Sequence, residues 1–161
     1  MTGTKTAAGV LLAALLLADS GSARAAVRSE GALNWLRLQN NATHLYLGVL
    51  DDRGTLGVEE PSQSGRQDFS LLRARQGYQM HSRLYPGRCV TATDTGRDVR
   101  MEECRANDTA QLWDHHRIGE DGSAFASVQF PYDCLVSQGN RNTIVLRLCD
   151  ESLEQRWHTV S

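Results

Sequence analysis

Lysine is almost missing from this sequence: Lys5 is the only one in 161 residues. Residues 26–161 carry 15 arginines against 18 aspartates and glutamates, a net charge of about −3. No run of basic residues stands out among them. The chain therefore lacks the electrostatic footprint of a nucleic-acid-binding protein, and we predict no nucleic-acid partner.

Apolar runs long enough to cross a membrane are missing as well. The run at residues 7–18 has 12 residues, whereas a helix needs about 20 to span the bilayer core. Because Lys5 precedes this run and Ala23-Arg24-Ala25 follows it as an A-x-A cleavage site, we interpret residues 1–25 as a secretory signal peptide. Residues 26–33 are then a linker, and residues 34–161 form one domain, secreted to the extracellular space with no membrane span in the mature form.

Patterns typical of catalysis and cofactor binding are also absent. There is no G-x-S-x-G nucleophile elbow. Neighbouring acids such as Asp51-Asp52 diverge on a strand or are solvated in a turn. Zinc sites use tight spacings such as C-x2-C, which this chain does not contain. We therefore predict a protein that is not an enzyme and has no catalytic residues, metal or cofactor.

What the sequence does contain is one motif in three copies: Gln67-Asp68-Phe69, Gln111-Leu112-Trp113 and Gln155-Arg156-Trp157. The step between successive glutamines is 44 residues both times. A period of this length indicates a repeated supersecondary unit. The motifs divide the chain into a first unit (residues 34–76), a second unit (residues 77–120) and a third unit (residues 121–161).

The four cysteines follow the same repeat. Cys89 and Cys104 lie 15 residues apart, and so do Cys134 and Cys149, which follow 45 residues later. An even number of cysteines behind a secretory signal predicts disulfides. Of the three possible pairings, the repeat selects Cys89–Cys104 and Cys134–Cys149. Each closed loop would contribute roughly 3 kcal/mol in the chain-entropy model.

Short strand-like segments fill each unit. They lie about ten residues apart and are separated by glycine, proline, asparagine and aspartate, which is typical of an all-β barrel or sandwich. Four strands in each of three units give about twelve strands. Propellers usually have four to eight blades, so three units favour a closed barrel with threefold pseudosymmetry.

A cysteine pair followed by Gln-x-Trp resembles the ricin B-type lectin family, whose fold is the β-trefoil. The resemblance covers residues 34–161. The first unit departs from the pattern, because Leu45 and Glu60 occupy the positions of the cysteines and Phe69 replaces tryptophan. We expect the three motif aromatics to form a threefold core rather than to stack on sugars: Phe69, Trp113 and Trp157. We expect the three motif glutamines to be structural, as they are in the family: Gln67, Gln111 and Gln155.

The resemblance also implies where a sugar would bind. In the family, an aspartate two residues after the first cysteine accepts hydrogen bonds from the sugar, an aromatic residue two before the second cysteine stacks on it, and an asparagine precedes the motif glutamine. Aligned on the motif, the aspartate position holds Leu47, Thr91 and Val136. The aromatic position holds Val58, Glu102 and Arg147. The asparagine position holds Arg66, Ala110 and Glu154. None of the three sites keeps the family residues.

Two functional hypotheses remain. The first is a binding module for a glycan or glycoprotein outside the cell, acting through a shifted site whose best polar cluster is Thr91, Asp94, Glu102 and Asn107. The second is a protein-binding trefoil without sugar sites, similar in architecture to the receptor-binding subunits of cytolethal distending toxins. Asn41 and Asn107 each begin an N-x-T sequon, a possible glycosylation acceptor in a predicted loop.

Overall fold

The computed structural model describes residues 34–93, 98–120, 122–139 and 143–161. The predicted signal peptide and linker, and Asp94 of the second-unit cluster, lie outside the described residues. No described helix is long and apolar enough to span a membrane.

The described residues form twelve β-strands: β1 Arg37–Asn40, β2 Tyr46–Val49, β3 Leu56–Glu59, β4 Phe69–Ala74, β5 Gly77–Ser82, β6 Arg88–Ala92, β7 Val99–Glu103, β8 Leu112–Ile118, β9 Gly122–Ser127, β10 Asp133–Ser137, β11 Ile144–Leu148 and β12 Trp157–Val160.

Six of the strands form a closed barrel. Antiparallel pairing connects β1, β12, β9, β8, β5 and β4 in that order. The ring is completed between β4 and the residue before β1, because Leu36 and Phe69 exchange two backbone hydrogen bonds of 2.8 Å. Closure leaves these six strands without an open edge.

The other six strands form three hairpins, β2–β3, β6–β7 and β10–β11, one from each unit. One residue pair joins each hairpin to the barrel, as Gln39 pairs with Tyr46 in the first unit. The hairpins also join one another through three single bridges, Thr55–Arg100, Gly57–Thr143 and Asp98–Val145. A six-stranded barrel with three hairpins at one end is the β-trefoil, so the predicted fold is confirmed.

The core lies along the threefold axis and contains the three motif aromatics. Phe69, Trp113 and Trp157 have no exposed surface, as expected for a symmetric core. The indole N–H of Trp113 donates to the Val90 carbonyl at 3.1 Å, and that of Trp157 donates to the Leu135 carbonyl at 3.0 Å. Both indoles therefore have the partner that a buried N–H requires.

Two short helical turns were not expected from the sequence. Short 3-10 helices at Thr109–Gln111 and Leu153–Gln155 lead into β8 and β12. Asp108 caps the first of them, since its side chain accepts a hydrogen bond from the backbone N–H of Ala110. Each turn carries a motif glutamine, and this positions the amide beside the hairpin of the same unit.

Candidate functional site

The two predicted disulfides are present. Cys89 is bonded to Cys104 and Cys134 to Cys149, with Cα–Cα distances of 5.0 and 5.1 Å. His81 lies beside the first of these bonds, its Nδ1 atom 3.6 Å from the Sγ of Cys104. Because both sulfurs are consumed in the disulfide, this group offers no thiolate to a metal ion.

Each motif glutamine forms hydrogen bonds with the backbone at and after the end of the third strand of its unit. The Gln155 amide donates to the Leu148 carbonyl at 2.6 Å and accepts from the Asp150 N–H at 2.9 Å. Gln67 and Gln111 make the equivalent pair of hydrogen bonds in their own units. All three side chains are buried. The glutamines therefore shape the edge of each candidate sugar site.

The structure corrects the alignment of the first unit by one residue. Tyr46, not Leu45, pairs with the barrel as Cys89 and Cys134 do in the other units. By the same register, Pro61 rather than Glu60 occupies the position of the second cysteine, and the spacing of 15 is preserved. The error arose because the segment from this position to the glutamine has one residue more in the second unit than in the first.

This shift changes which first-unit residues occupy the candidate site. Gly48 now stands at the aspartate position and Glu59 at the aromatic position, whereas Leu47 and Val58 are buried in the core. A one-residue slip exchanges the faces of a strand, which is why the alignment on the glutamine selected core residues. The asparagine position still holds Arg66.

In the first unit these three residues close the site. A Cβ atom added to Gly48 would lie 2.8 Å from Oε1 of Glu59, so the carboxyl group lies directly over the glycine. Oε2 of the same carboxylate is 3.8 Å from a guanidinium nitrogen of Arg66. The ion pair therefore occupies the space that a ligand would need.

The second-unit cluster is already engaged in internal contacts. Thr91 is buried; its hydroxyl donates to the Cys89 carbonyl at 3.0 Å and accepts from Gln111 at 3.1 Å. Glu102 lies between two guanidinium groups, 2.6 Å from Arg100 and 3.4 Å from Arg105. These contacts leave the carboxylate, but not the threonine hydroxyl, accessible to a ligand.

Of the three cluster residues that the structure describes, Asn107 is the exposed one. It has a φ of 61°, a left-handed conformation that asparagine tolerates better than most residues. The neighbouring Asp108 is hydrogen-bonded to Arg105 at 2.6 Å, and this contact raises the pKa of the guanidinium above its ordinary value. The proposed binding role of Thr91, Asp94, Glu102 and Asn107 stays a prediction.

The third unit contains an open cleft of about 780 Å³. Val136, Arg147 and Glu154, the residues at the three family positions of this unit, all line it. The cleft therefore lies where the resemblance places a sugar site. Further polar side chains line it from both ends of the hairpin and from the loop before β12, among them Gln138, Asp150 and Ser152.

Several polar groups of this cleft have spare hydrogen-bonding capacity. The side chain of Arg147 is exposed and forms no ion pair or hydrogen bond with a described residue. The Ser137 hydroxyl is buried and has no hydrogen-bond partner among the residues that the structure describes. Asp150 accepts a hydrogen bond from the Ser152 N–H at 3.0 Å. This contact and a hydrogen bond to the Ser152 side chain lower the pKa of Asp150, and the carboxylate is ionised near neutral pH.

One wall of the cleft comes from the first unit, and sequence reasoning missed it. Ala42 and Thr43 line the cleft from the turn after β1. The buried Asn40 holds that turn, accepting from the Thr43 N–H at 3.2 Å and donating to the Glu154 carbonyl at 2.9 Å. Asn40 and Glu154 are 114 residues apart. In the sequence, Asn40 marks only a turn after the first strand-like segment and gives no sign of this distant contact.

His115 occupies a packed position rather than a binding position. Its ring stacks on Phe125 with a centroid distance of 4.8 Å and meets the edge of Tyr78 at 5.8 Å. Burial lowers its pKa, and its Nε2 atom has no hydrogen-bond partner among the described residues. The adjacent His116 is exposed, so the two rings do not form one site.

The same fold occurs in solved structures of quite different proteins. The designed threefold-symmetric protein ThreeFoil gives a TM-score of 0.69 at 15% identity, with 79% of this chain and 98% of that chain covered. Cytolethal distending toxin from Haemophilus ducreyi gives a TM-score of 0.65 at 23% identity, with 90% of this chain and 93% of that chain covered. The exo-β-1,3-galactanase 1,3Gal43A from Clostridium thermocellum gives 0.69 at 17% identity, with 81% of this chain but only 30% of that chain covered.

Comparison with curated proteins finds no match. The family comparison is decisive: the family described as the ricin-type beta-trefoil lectin domain matches residues 34–158. That span contains the first two units, all but the last three residues of the third unit, both disulfides and the three motif glutamines. It also agrees with the barrel, the three hairpins and the threefold aromatic core. The chain belongs to the ricin-type β-trefoil lectin family.

Proposed function

We propose that this protein is a non-catalytic binding module that recognises a glycan through the third-unit cleft. One observation carries the proposal: Val136, Arg147 and Glu154 stand at the family's three sugar-site positions and line an open cleft together. The equivalent first-unit positions are closed by an ion pair. Of the three units, the third therefore offers the most accessible site.

The chemistry of the cleft suits a hydroxyl-rich ligand. Asp150 and Glu154 supply carboxylate acceptors, Gln138 supplies an amide, and Arg147 supplies five N–H donors on a planar group. A guanidinium plane can also lie against the apolar face of a sugar ring, the role that an aromatic residue has in the family. Sugar hydroxyls both donate and accept, so they can use groups of both kinds.

The same residues argue against ordinary galactose recognition. The family's acceptor aspartate is replaced by Gly48, Thr91 and Val136, and neither glycine nor valine has a side chain that accepts a hydrogen bond. Loss of one such contact weakens binding by roughly 1–3 kcal/mol. We therefore expect no ordinary galactose-type binding, so that free galactose and lactose bind more weakly than in the millimolar range.

The test is a glycan array probed with the purified protein, followed by calorimetry with the best glycan. Arg147→Ala should lower the affinity about tenfold or more, since it removes charge-assisted hydrogen bonds worth roughly 1.5–3 kcal/mol. Arg75→Ala is the matched control, because Arg75 is exposed on the turn between β4 and β5 and lines none of these clefts.

The proposal fails if no glycan binds, or if Arg147→Ala and Arg75→Ala bind as tightly as the parent. Binding that survives Arg147→Ala but is lost in Glu102→Gln would move the site to the second-unit cluster. Circular dichroism of each variant separates loss of binding from loss of fold.

A second candidate is recognition of a protein. Cytolethal distending toxin from Haemophilus ducreyi is similar over 93% of its chain. In addition, Tyr132 and Leu148, both near the base of the β10–β11 hairpin, are 78% and 70% exposed. Large apolar side chains that stay exposed in one region favour an interaction surface. A pull-down from cell-surface protein, repeated with Tyr132→Ser and with deglycosylated prey, distinguishes this candidate from glycan binding.

Secretion is part of the proposal. Two disulfides support an oxidising compartment, and the N-terminal sequence predicts export. Expression of the whole chain in a secreting host should yield a protein that begins at Ala26. A cell-retained protein that still begins at Met1 would contradict this.

A further inference from the structure

The third-unit cleft is one end of a longer groove. A second cleft of about 680 Å³ and a third of about 500 Å³ follow it around the β10–β11 hairpin, and Gln138 lines all three. A fourth, of about 400 Å³, shares Arg53 and Arg100 with the third and reaches Glu102. The four clefts therefore connect the third-unit site with the accessible carboxylate of the second-unit cluster.

The trefoil architecture explains this continuity. The three hairpins pack together in the core, and their backbones are joined by single bridges, such as Asp98–Val145 and Thr55–Arg100. The second and third clefts lie beside these bridges. Asp98 and Val145 line the two middle clefts, so the groove follows the seam between the hairpins of the second and third units.

The groove carries both signs of charge. Arg53, Arg100 and Arg147 line it together with Asp98 and Asp150. A polyanionic chain would meet carboxylates along its length, and a polycationic chain would meet guanidinium groups. An uncharged chain rich in hydroxyls can instead hydrogen-bond to both, which points to a neutral glycan.

Each cleft alone has little to offer a single sugar. No described aromatic residue lines any of the four clefts, so a monosaccharide would depend on hydrogen bonds with a net value of about 0.5–1.5 kcal/mol each. Contacts along a continuous groove can add together without a further loss of translational freedom.

From this we infer that the ligand is an extended, uncharged glycan that runs along the groove from the third-unit cleft, across Gln138, to Arg53 and Arg100. This inference rests on the proposed function and specifies its ligand class. The third-unit cleft holds the first sugar residues, and the far clefts hold those that follow.

The test measures the affinity of the parent protein by calorimetry for neutral β-linked gluco- and galacto-oligosaccharides of one, two, four and six units. A hexagalacturonate serves as the charged comparison. The affinity should rise about tenfold or more from the disaccharide to the hexasaccharide, equivalent to about 1.4 kcal/mol. Arg53→Ala should remove most of that gain and leave disaccharide binding unchanged, whereas Arg147→Ala should weaken both. Arg75→Ala is again the control.

The outcomes separate this inference from the proposed function. Equal affinity for the disaccharide and the hexasaccharide overturns the groove while leaving the cleft as a glycan site. Tighter binding of the hexagalacturonate than of the neutral hexamers overturns the uncharged class. If no oligosaccharide and no array glycan binds, both proposals fail together.

Discussion

The first and third units place opposite charges at the same two positions. In the first unit Glu59 and Arg66 are paired across 3.8 Å and cover Gly48. In the third unit the order is reversed, as Arg147 takes the position of the glutamate and Glu154 that of the arginine, yet no such ion pair forms between them. One site is closed and the other is open.

The residue beneath the pair accounts for the difference. Gly48 has no side chain, so the Glu59 carboxyl group can lie across it and reach Arg66. Val136 stands at that position in the third unit and fills the space with a branched side chain. A pair of charges is therefore not enough to close a trefoil site; the residue below must also let them meet.

The largest expected effect comes from the core that both units share. Trp157→Ala and Phe69→Ala should each lower the free energy of unfolding by about 3–5 kcal/mol, since both side chains are fully buried. Trp157→Phe should cost less, because it copies the first unit and loses chiefly the hydrogen bond to the Leu135 carbonyl. Urea unfolding measures all three. A midpoint for either alanine variant equal to the parent's would contradict the shared core.

The next comparison is between the third unit, which has a disulfide, and the first unit, which has none. The third unit has Cys134–Cys149, whereas the first has Tyr46 and Pro61 at the same positions. Replacing both cysteines by alanine should cost roughly 3 kcal/mol for a loop of this length. The first-unit hairpin should keep its hydrogen-exchange protection in that variant. If it loses protection as much as the third-unit hairpin does, the units do not differ in this respect.

One substitution in each unit should convert the open third-unit site to a closed one and the closed first-unit site to an open one. In Val136→Gly, Arg147 should fold across the new glycine and pair with Glu154, and glycan affinity should fall about tenfold, or about 1.4 kcal/mol. Gly48→Ala should displace the Glu59 carboxyl group, because the new Cβ would lie 2.8 Å from its oxygen. Calorimetry and a crystal structure of each variant measure the result.

Val136→Ala is the control for this exchange. It keeps a Cβ atom beneath the charges, so the cleft should stay open and bind nearly as the parent does. Unchanged affinity in Val136→Gly, with Arg147 still extended, would show that the residue beneath the pair does not control closure.

The repeat in the sequence was enough to predict the barrel, the core and both disulfides. Regular spacing of the glutamines and cysteines corresponds directly to threefold contacts, as at Trp113 and Trp157. The first-unit site was assigned one residue away because a loop of different length separates the hairpin from Gln67. The positions of the third-unit site followed from the repeat, but its first-unit wall was missed, because Asn40 holds that wall against a distant part of the chain and a contact between units has no local signal in a sequence.

The smallest expected effect concerns the acid sensitivity of two turn aspartates, Asp51 in the first unit and Asp150 in the third. Asp51 accepts from the Thr55 N–H at 2.9 Å and from its hydroxyl at 2.8 Å, and these hydrogen bonds lower its pKa below 3.8. Asp150 is lowered in the same way by Ser152. Asp150 is exposed to solvent and Asp51 is partly exposed.

A lowered pKa in the folded state sets the sign of the effect. The stabilisation is fully present above the unfolded value of 3.8 and is lost as the pH falls through the folded value, because the unfolded chain takes up the proton first. Asp51→Asn and Asp150→Asn should therefore each reduce the loss of stability below pH 3.8, because each removes a carboxylate that is hydrogen-bonded to a backbone N–H and to a hydroxyl side chain. Urea midpoints measured between pH 2 and pH 6 test this. If the differences between each variant and the parent are the same at both ends of that range, neither aspartate titrates in folding.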